Sequence, residues 1–216
     1  MRLRKKHWAI PEMEKNPYVF FNGEDYKGKW KEEFGNDNEI HIEIGAGKGA
    51  FIQELAKRNP DINYVIVEME SNAFVYACRK VLEDELENVR ALPINAEKLT
   101  EYFDKDEVSR IYINFCNPWP KPRHHKRRLT HPRLLDVYRQ ILKENARIYM
   151  KTDDLDLFEA TLEYTEENGF EIIEANKNML LEDYPENIVT EYESKWRSRN
   201  IPICYGVFEI KKLKED

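Results

Sequence analysis

From residue 40 onward, short apolar runs of β character alternate with stretches of helical period. Runs rich in β-branched and aromatic residues fall at 40–44, 64–67, 89–94, 111–116 and 146–150. Between them, apolar positions recur at helical spacing over 51–58, 73–85, 97–103 and 134–142. Pro132, just after Thr130, marks a helix start, because a missing N–H costs little in the first turn. A further helix at 155–168 runs into Gly169, a residue suited to capping a helix C-terminus. Such alternation predicts a parallel sheet with helices on both faces. The ending departs from it: strands at 170–175 and 203–211 have no helical pattern between them. They predict a final antiparallel pair, with the polar stretch 176–200 as a functional loop. The expected fold is therefore α/β, a doubly wound, mostly parallel seven-stranded sheet with an antiparallel last strand. Residues 1–38 are polar and broken by Pro11, Pro17, Gly23, Gly28 and Gly35. They read as a basic N-terminal arm with short helical segments, ahead of one domain over 39–216.

Charge and cysteine usage narrow the class. The 216 residues carry 34 Lys+Arg against 41 Asp+Glu, a net charge of −7, which excludes a histone-like coat of positive charge but not a local basic patch. Cys78, Cys116 and Cys204 form no CxxC pair, so free thiols in a reducing cytoplasm are expected. The basic N-terminus is followed by no apolar stretch of the kind a signal peptide needs, and no run is long enough to span a membrane. His124, His125 and His131 sit in a basic segment without nearby carboxylates, so no metal site is expected.

The first strand leads into Glu43-Ile44-Gly45-Ala46-Gly47-Lys48-Gly49. Glycines there let the backbone turn sharply into a helix and approach a ligand, as Gly45 and Gly47 would. The string also satisfies the loose dinucleotide pattern, so two carboxylates must decide the cofactor. Glu43 lies two residues before the first glycine, where it would repel a pyrophosphate but attract the cationic methionine moiety of S-adenosylmethionine. Glu68 ends the second strand, placed to accept ribose hydroxyls, and Asn95 ends the third, placed to bond an adenine edge. Lys48 is followed by Gly49 rather than Ser or Thr, which excludes a magnesium-binding P-loop. S-adenosylmethionine is the cofactor expected.

The fourth strand runs into Asn117-Pro118-Trp119-Pro120 and then a basic tail. Between Lys121 and Arg133 stand six Lys/Arg and no Asp/Glu, on a chain that is acidic overall. Asn117-Pro118-Trp119 falls where the transferable methyl group would lie and reads as a target-base site, with Trp119 as a shelf. Positive charge beside it displaces counterions from a phosphate backbone and positions nucleic acid.

These pieces carry a resemblance. The EIGAGKG turn, NFCNPWPKPRHHKRRL, KTDD at 151–154 and TEYE at 190–193 are similar to the bacterial tRNA (guanine-N7)-methyltransferase family, a Rossmann-like class I methyltransferase group, over nearly the whole length. The resemblance implies that Glu43, Glu68, Asn95 and Asn117 line the cofactor side, with Asn117 at the catalytic position. It implies that Lys121, Asp153, Thr190, Glu191, Tyr192 and Glu193 hold the guanosine. It further implies that Arg123, His124, His125, Lys126, Arg127 and Arg128 contact RNA, and that the substrate is a variable-loop guanosine of tRNA. A monomer or homodimer in the cytoplasm is expected.

Two positions depart from the family pattern, which has Asp where this chain has Asn117 and often Asp where it has Asn95. The chemistry tolerates the change. Neutral guanine carries no proton on N7, so its lone pair attacks the methyl directly and no general base is required. What remains is orientation and stabilisation of the developing positive charge; Asp153 and Glu193 are candidates for the second task. Two rivals stand beside this reading. One is an amino-methyltransferase of the Asn-Pro-Pro-aromatic type, although Pro120 arrives one place late. The other is a tRNA-binding protein whose site was inactivated by the two Asn residues.

Overall fold

The computed structural model describes residues 6–211. The basic stretch at residues 2–5 lies outside them. One seven-stranded sheet organises the chain, in the order β3-β2-β1-β4-β5-β7-β6. Its strands are β1 (Ile40–Ile44), β2 (Asn63–Val67), β3 (Val89–Leu92), β4 (Val108–Asn114), β5 (Leu142–Thr152), β6 (Phe170–Asn176) and β7 (Cys204–Ile210). β1 to β5 pair in parallel, while β7 inserts between β5 and β6 and runs antiparallel to both. The order reverses between β1 and β4, and in open α/β sheets the ligand crevice lies at the carboxyl ends beside such a switch.

Strand alternation builds two cores. Ile40, Ile42 and Ile44 of β1, Ile111 and Ile113 of β4, and Ile148 and Met150 of β5 face one side. That side is covered by α5 (Leu99–Tyr102), α6 (Pro132–Ile141) and α7 (Leu155–Glu167). The other side packs Tyr64 and Ile66 under α3 (Ala50–Arg58) and α4 (Ser71–Glu83). The described part of the N-terminal region folds onto both: α1 (Ala9–Met13) buries Ala9 and Met13 with α4, and α2 (Trp30–Phe34) buries Trp30 against Phe103. The Trp30 indole N–H donates to Tyr102 O at 2.8 Å, so its one polar atom is satisfied inside the core.

Three local differences from the sequence expectation bear on the site. The expected helix at 97–103 forms as a 3-10 turn, Ala96–Lys98, followed by the single turn α5. β4 stops at Asn114 rather than at Cys116, because Phe115 takes a left-handed φ of 50° and turns the chain out of the sheet. The polar stretch 176–200, expected to be a loop, contains α8 (Glu191–Arg197), capped by the Thr190 hydroxyl accepting from Glu193 N at 3.2 Å. Its buried face carries Glu193, a charged residue, so no apolar period announces it.

Candidate active site

At the carboxyl edge of β1, Gly45 and Gly47 both take left-handed φ values, 78° and 55°, which bring the chain round into α3. Gly49 has a separate role: a Cβ there would meet Ala77 Cβ at 2.7 Å, so its glycine permits α3 to lie against α4. Glu68, at the end of β2, ties the turn down. Its carboxylate accepts from Gly47 N at 3.2 Å and from Glu70 N at 2.7 Å.

The turn opens on a cavity of about 550 Å³. Glu43, Gly45 and Gly47 line one wall, Asn114 and Phe115 a second, and Thr190, Glu191 and Tyr192 a third. Three segments remote in sequence therefore meet here, with Asn114 and Phe115 lining the cavity beside the glycine turn and residues 190–192. Glu43 is 3% exposed and its Oε2 accepts no hydrogen bond. Burial raises its carboxyl pKa to about 8, with the neighbouring Asn114 amide and Lys151 ammonium pulling the other way. A buried, under-satisfied carboxylate facing a cavity is a receptor for a cation with N–H donors. The donor set fits S-adenosylmethionine: Glu43 would hold the methionine ammonium, the glycine turn gives close approach, and Glu68 keeps spare lone pairs for hydroxyls.

The remaining expected residues are distributed as follows. Asn95 ends the third strand's exit, half-buried, and its Oδ1 accepts from Glu97 N at 3.1 Å. Neither it nor Glu68 lines the cavity itself. Asn117 is exposed and outside the cavity wall, its Oδ1 accepting from Trp119 N at 3.0 Å to close a local turn. The strand-end position on the cavity belongs to Asn114, because β4 ends earlier than its apolar run implied. Asp153 is half-buried after β5, its pKa raised by burial.

Trp119, itself at a left-handed φ of 46°, has Arg127 over its ring at 5.0 Å and His124 edge-on at 5.7 Å. On the 3-10 turn Pro122–Arg127, Arg123, Lys126 and Arg127 are exposed and His124 and His125 half-buried, with Lys121, exposed, just before it. Arg128 departs from the RNA-contact expectation. It is 3% exposed and its Nε donates to Pro118 O at 2.8 Å, pinning the turn from inside.

Glu193 departs likewise from the expectation of direct guanosine contact. It is 0% exposed, with Oε2 accepting from Lys151 Nζ at 2.8 Å and Oε1 from Asn187 Nδ2 at 3.0 Å and Arg197 Nε at 2.9 Å. Lys151 gives its other protons to Asn187 Oδ1 at 2.9 Å and Ile188 O at 3.0 Å. Burial lowers the Lys151 pKa while Glu193 opposes the shift. This network locks α8 and the segment before it onto the end of β5, which sets Thr190, Glu191 and Tyr192 against the cavity. Tyr192 packs on Phe115 at 5.1 Å, joining α8 to the exit of β4.

A second cavity of about 560 Å³ runs along the same sheet face, lined by Arg110, Tyr112, Tyr149 and Tyr205, and shares Phe51 and Asn114 with the first. Among the described residues no cluster of His, Cys, Asp and Glu could hold a metal ion, and no helix is long and apolar enough to cross a membrane.

The strand order, the antiparallel β7 and the glycine turn beside a buried carboxylate define a class I methyltransferase fold. Solved structures share it. The 16S rRNA methyltransferase KamB superposes with a TM-score of 0.66 at 12% identity, covering 86% of this chain and 94% of that one. An antibiotic-related methyltransferase gives 0.63 at 18% identity, covering 86% and 94%. A family described as a putative methyltransferase matches residues 37–205. Full-length relatives are more specific. The tRNA (guanine-N(7)-)-methyltransferase of Clostridium tetani is 51% identical over 211 residues, covering 98% of this chain and 100% of the relative. One from Desulfitobacterium hafniense (strain Y51), of the same description, is 44% identical over 218 residues, covering 100% of both chains. The chain belongs to the tRNA (guanine-N7)-methyltransferase family.

Proposed function

We propose that this protein transfers a methyl group from S-adenosylmethionine to N7 of a variable-loop guanosine in tRNA, acting in the cytoplasm as a monomer or homodimer. The observation that carries the reading is 51% identity across 98% of the chain to a relative of that description. Bound S-adenosylmethionine supplies an electrophilic methyl on a sulfonium. Transfer of that methyl to N7 would leave the electron pair on the sulfur and would move no proton. The chain's residues therefore have positioning and electrostatic work rather than proton transfer. Glu43 would hold the cofactor's ammonium, and Glu68, beside the glycine turn, would accept from the ribose hydroxyls. Glu191 supplies a negative wall for the charge that appears on the guanine ring, being the accessible carboxylate of the cavity where Glu193 is buried. Asp153, Lys121 and Thr190 hold the guanosine, and Asn117 orients the loop that carries Trp119.

The test is methyl transfer from labelled S-adenosylmethionine to an unmodified tRNA transcript, followed by digestion to nucleosides. N7-methylguanosine is the expected product. A methylated adenosine or cytidine would establish the amino-methyltransferase reading instead, and tRNA binding without transfer would establish an inactivated scaffold.

A further inference from the structure

Apart from the turn after β4, a second cationic segment lies beside the cavity. Lys195 lines the cavity from α8, and Arg199 follows two residues after the helix ends. Both approach the Trp196 ring, Lys195 Nζ at 5.2 Å and the Arg199 guanidinium at 5.2 Å from its centroid. The ring is half-buried, so it acts as a plate that holds two cations above the surface. Neither cation forms an ion pair among the described residues. Their neighbour Arg197 differs, since it turns inward to Glu193. The outward surface of this segment is thus aromatic and positive on a chain whose net charge is −7.

The Phe115–Tyr192 contact fixes where this surface lies relative to the basic turn. Phe115 is the residue from which the chain leaves β4 toward Lys121–Arg127, and Tyr192 belongs to α8. The basic turn therefore departs from one wall of the cavity at Phe115, while Lys195 lines another from α8. A base that reacts inside a cavity must leave its stack, and its strand continues on both sides of the extruded nucleotide. A grip on one side leaves the other side free to withdraw the base.

We propose that Lys195, Trp196 and Arg199 form a second RNA-contact surface, taking backbone phosphates on one side of the target guanosine while Arg123, Lys126 and Arg127 take those on the other. This rests on the tRNA reading above and adds a partner-binding surface to it. Tyr192, exposed between the two, offers its ring to the target or to the adjoining base.

The experiment measures binding of an unmodified tRNA transcript across a salt series for the wild type, Lys195→Ala, Arg199→Ala, the double variant and Arg199→Lys. The expected result is a slope of log affinity against log salt reduced by roughly 0.7–0.9 for each alanine, additive in the double variant. Arg199→Lys restores the wild-type slope that Arg199→Ala loses, because a lysine supplies the same charge to a phosphate. Cofactor affinity measured on Arg199→Ala reports that the site remains folded. Wild-type slopes in both alanine variants, with the wild type still methylating tRNA, would overturn this inference and leave the proposed function standing. Failure of the wild type to bind tRNA at any salt would overturn both.

Discussion

In the turn after β4, Lys121, Arg123, Lys126 and Arg127 stand in solvent without an ion pair among the described residues, whereas Lys151 at the end of β5 is buried and directs all three ammonium protons at acceptors. Lys151 lines the second cavity, and the turn follows directly on Phe115, which lines the first. Solvated cations bind their own protein weakly and remain available to a phosphate backbone. Buried ones are held by partners and give shape, and taking away a partner leaves an uncompensated charge. Type and count of charge are therefore poor guides to role here. Losses in the first region should appear in RNA binding, and losses in the second should appear first in stability.

The largest expected effect tests the buried side. Glu193→Gln leaves Lys151 and Arg197 facing an amide, which should lower stability by about 3–5 kcal/mol. For a domain of this size, that is a fall in Tm on the order of 10 °C. Urea and thermal unfolding would measure it. Wild-type stability with abolished methylation would return Glu193 to direct guanosine contact.

Next in size is the cofactor carboxylate. Glu43→Gln should weaken S-adenosylmethionine binding by about 1.5–3 kcal/mol, the range of a hydrogen bond to a charged group. The wild type should also show a pH dependence that the variant lacks. With its pKa raised to about 8, Glu43 must release a proton when it accepts an ammonium below that pH. Affinity should then rise by up to about tenfold per pH unit from 6 towards 8 and fall above it, as the cofactor's own α-ammonium loses its proton. The ligand-free protein moves the opposite way. A carboxyl whose folded pKa exceeds its ordinary value of 4.5 binds its proton more tightly when folded, so its contribution to stability falls as pH rises from about 4.5 to about 8. Calorimetry and unfolding across that range would check both signs. The transfer step at saturating cofactor should stay flat with pH, since no general base is needed.

Much of this was legible before any coordinates, and the exceptions share a cause. β1, β2 and β3 with α3 and α4 follow from apolar period, because their buried faces are apolar. α8 escaped because its buried face is an ion network, and a hydrophobic pattern cannot reveal a helix anchored by Glu193. Asn114 escaped because Phe115 and Cys116 extend the apolar run past the true strand end, which only the left-handed φ of Phe115 discloses. Arg128 could not be told from Arg127 in a run of like residues, since the difference is one carbonyl, that of Pro118, within reach.

That pair gives a smaller and sharper contrast. Arg128→Ala removes the bond to Pro118 O and should cost about 0.5–1.5 kcal/mol of stability. Arg127→Ala should change stability by no more than about 0.5 kcal/mol while lowering the salt slope of tRNA binding by up to about 0.9. Unfolding and salt-series binding on the two variants would show opposite orders of effect. Equal slopes in both would mean that the turn does not grip RNA through Arg127.

The smallest expected change is at Asn117, where two roles can be separated. Its Oδ1 accepts from Trp119 N, and a carboxylate oxygen at the same place would accept equally well. Asn117→Asp should therefore preserve the turn and leave the transfer rate similar, or raise it if the exposed side chain comes to face the ring that becomes cationic. Asn117→Ala removes the acceptor and frees Trp119 from its left-handed φ of 46°, a conformation held only while the surrounding turn enforces it. It should slow transfer by an amount equivalent to about 1 kcal/mol. Single-turnover methylation of unmodified tRNA by the three proteins would rank them Asp at or above Asn, and Asn above Ala. If Asp alone were active and the wild type inert, the site would be a disarmed one, and the protein a tRNA-binding scaffold.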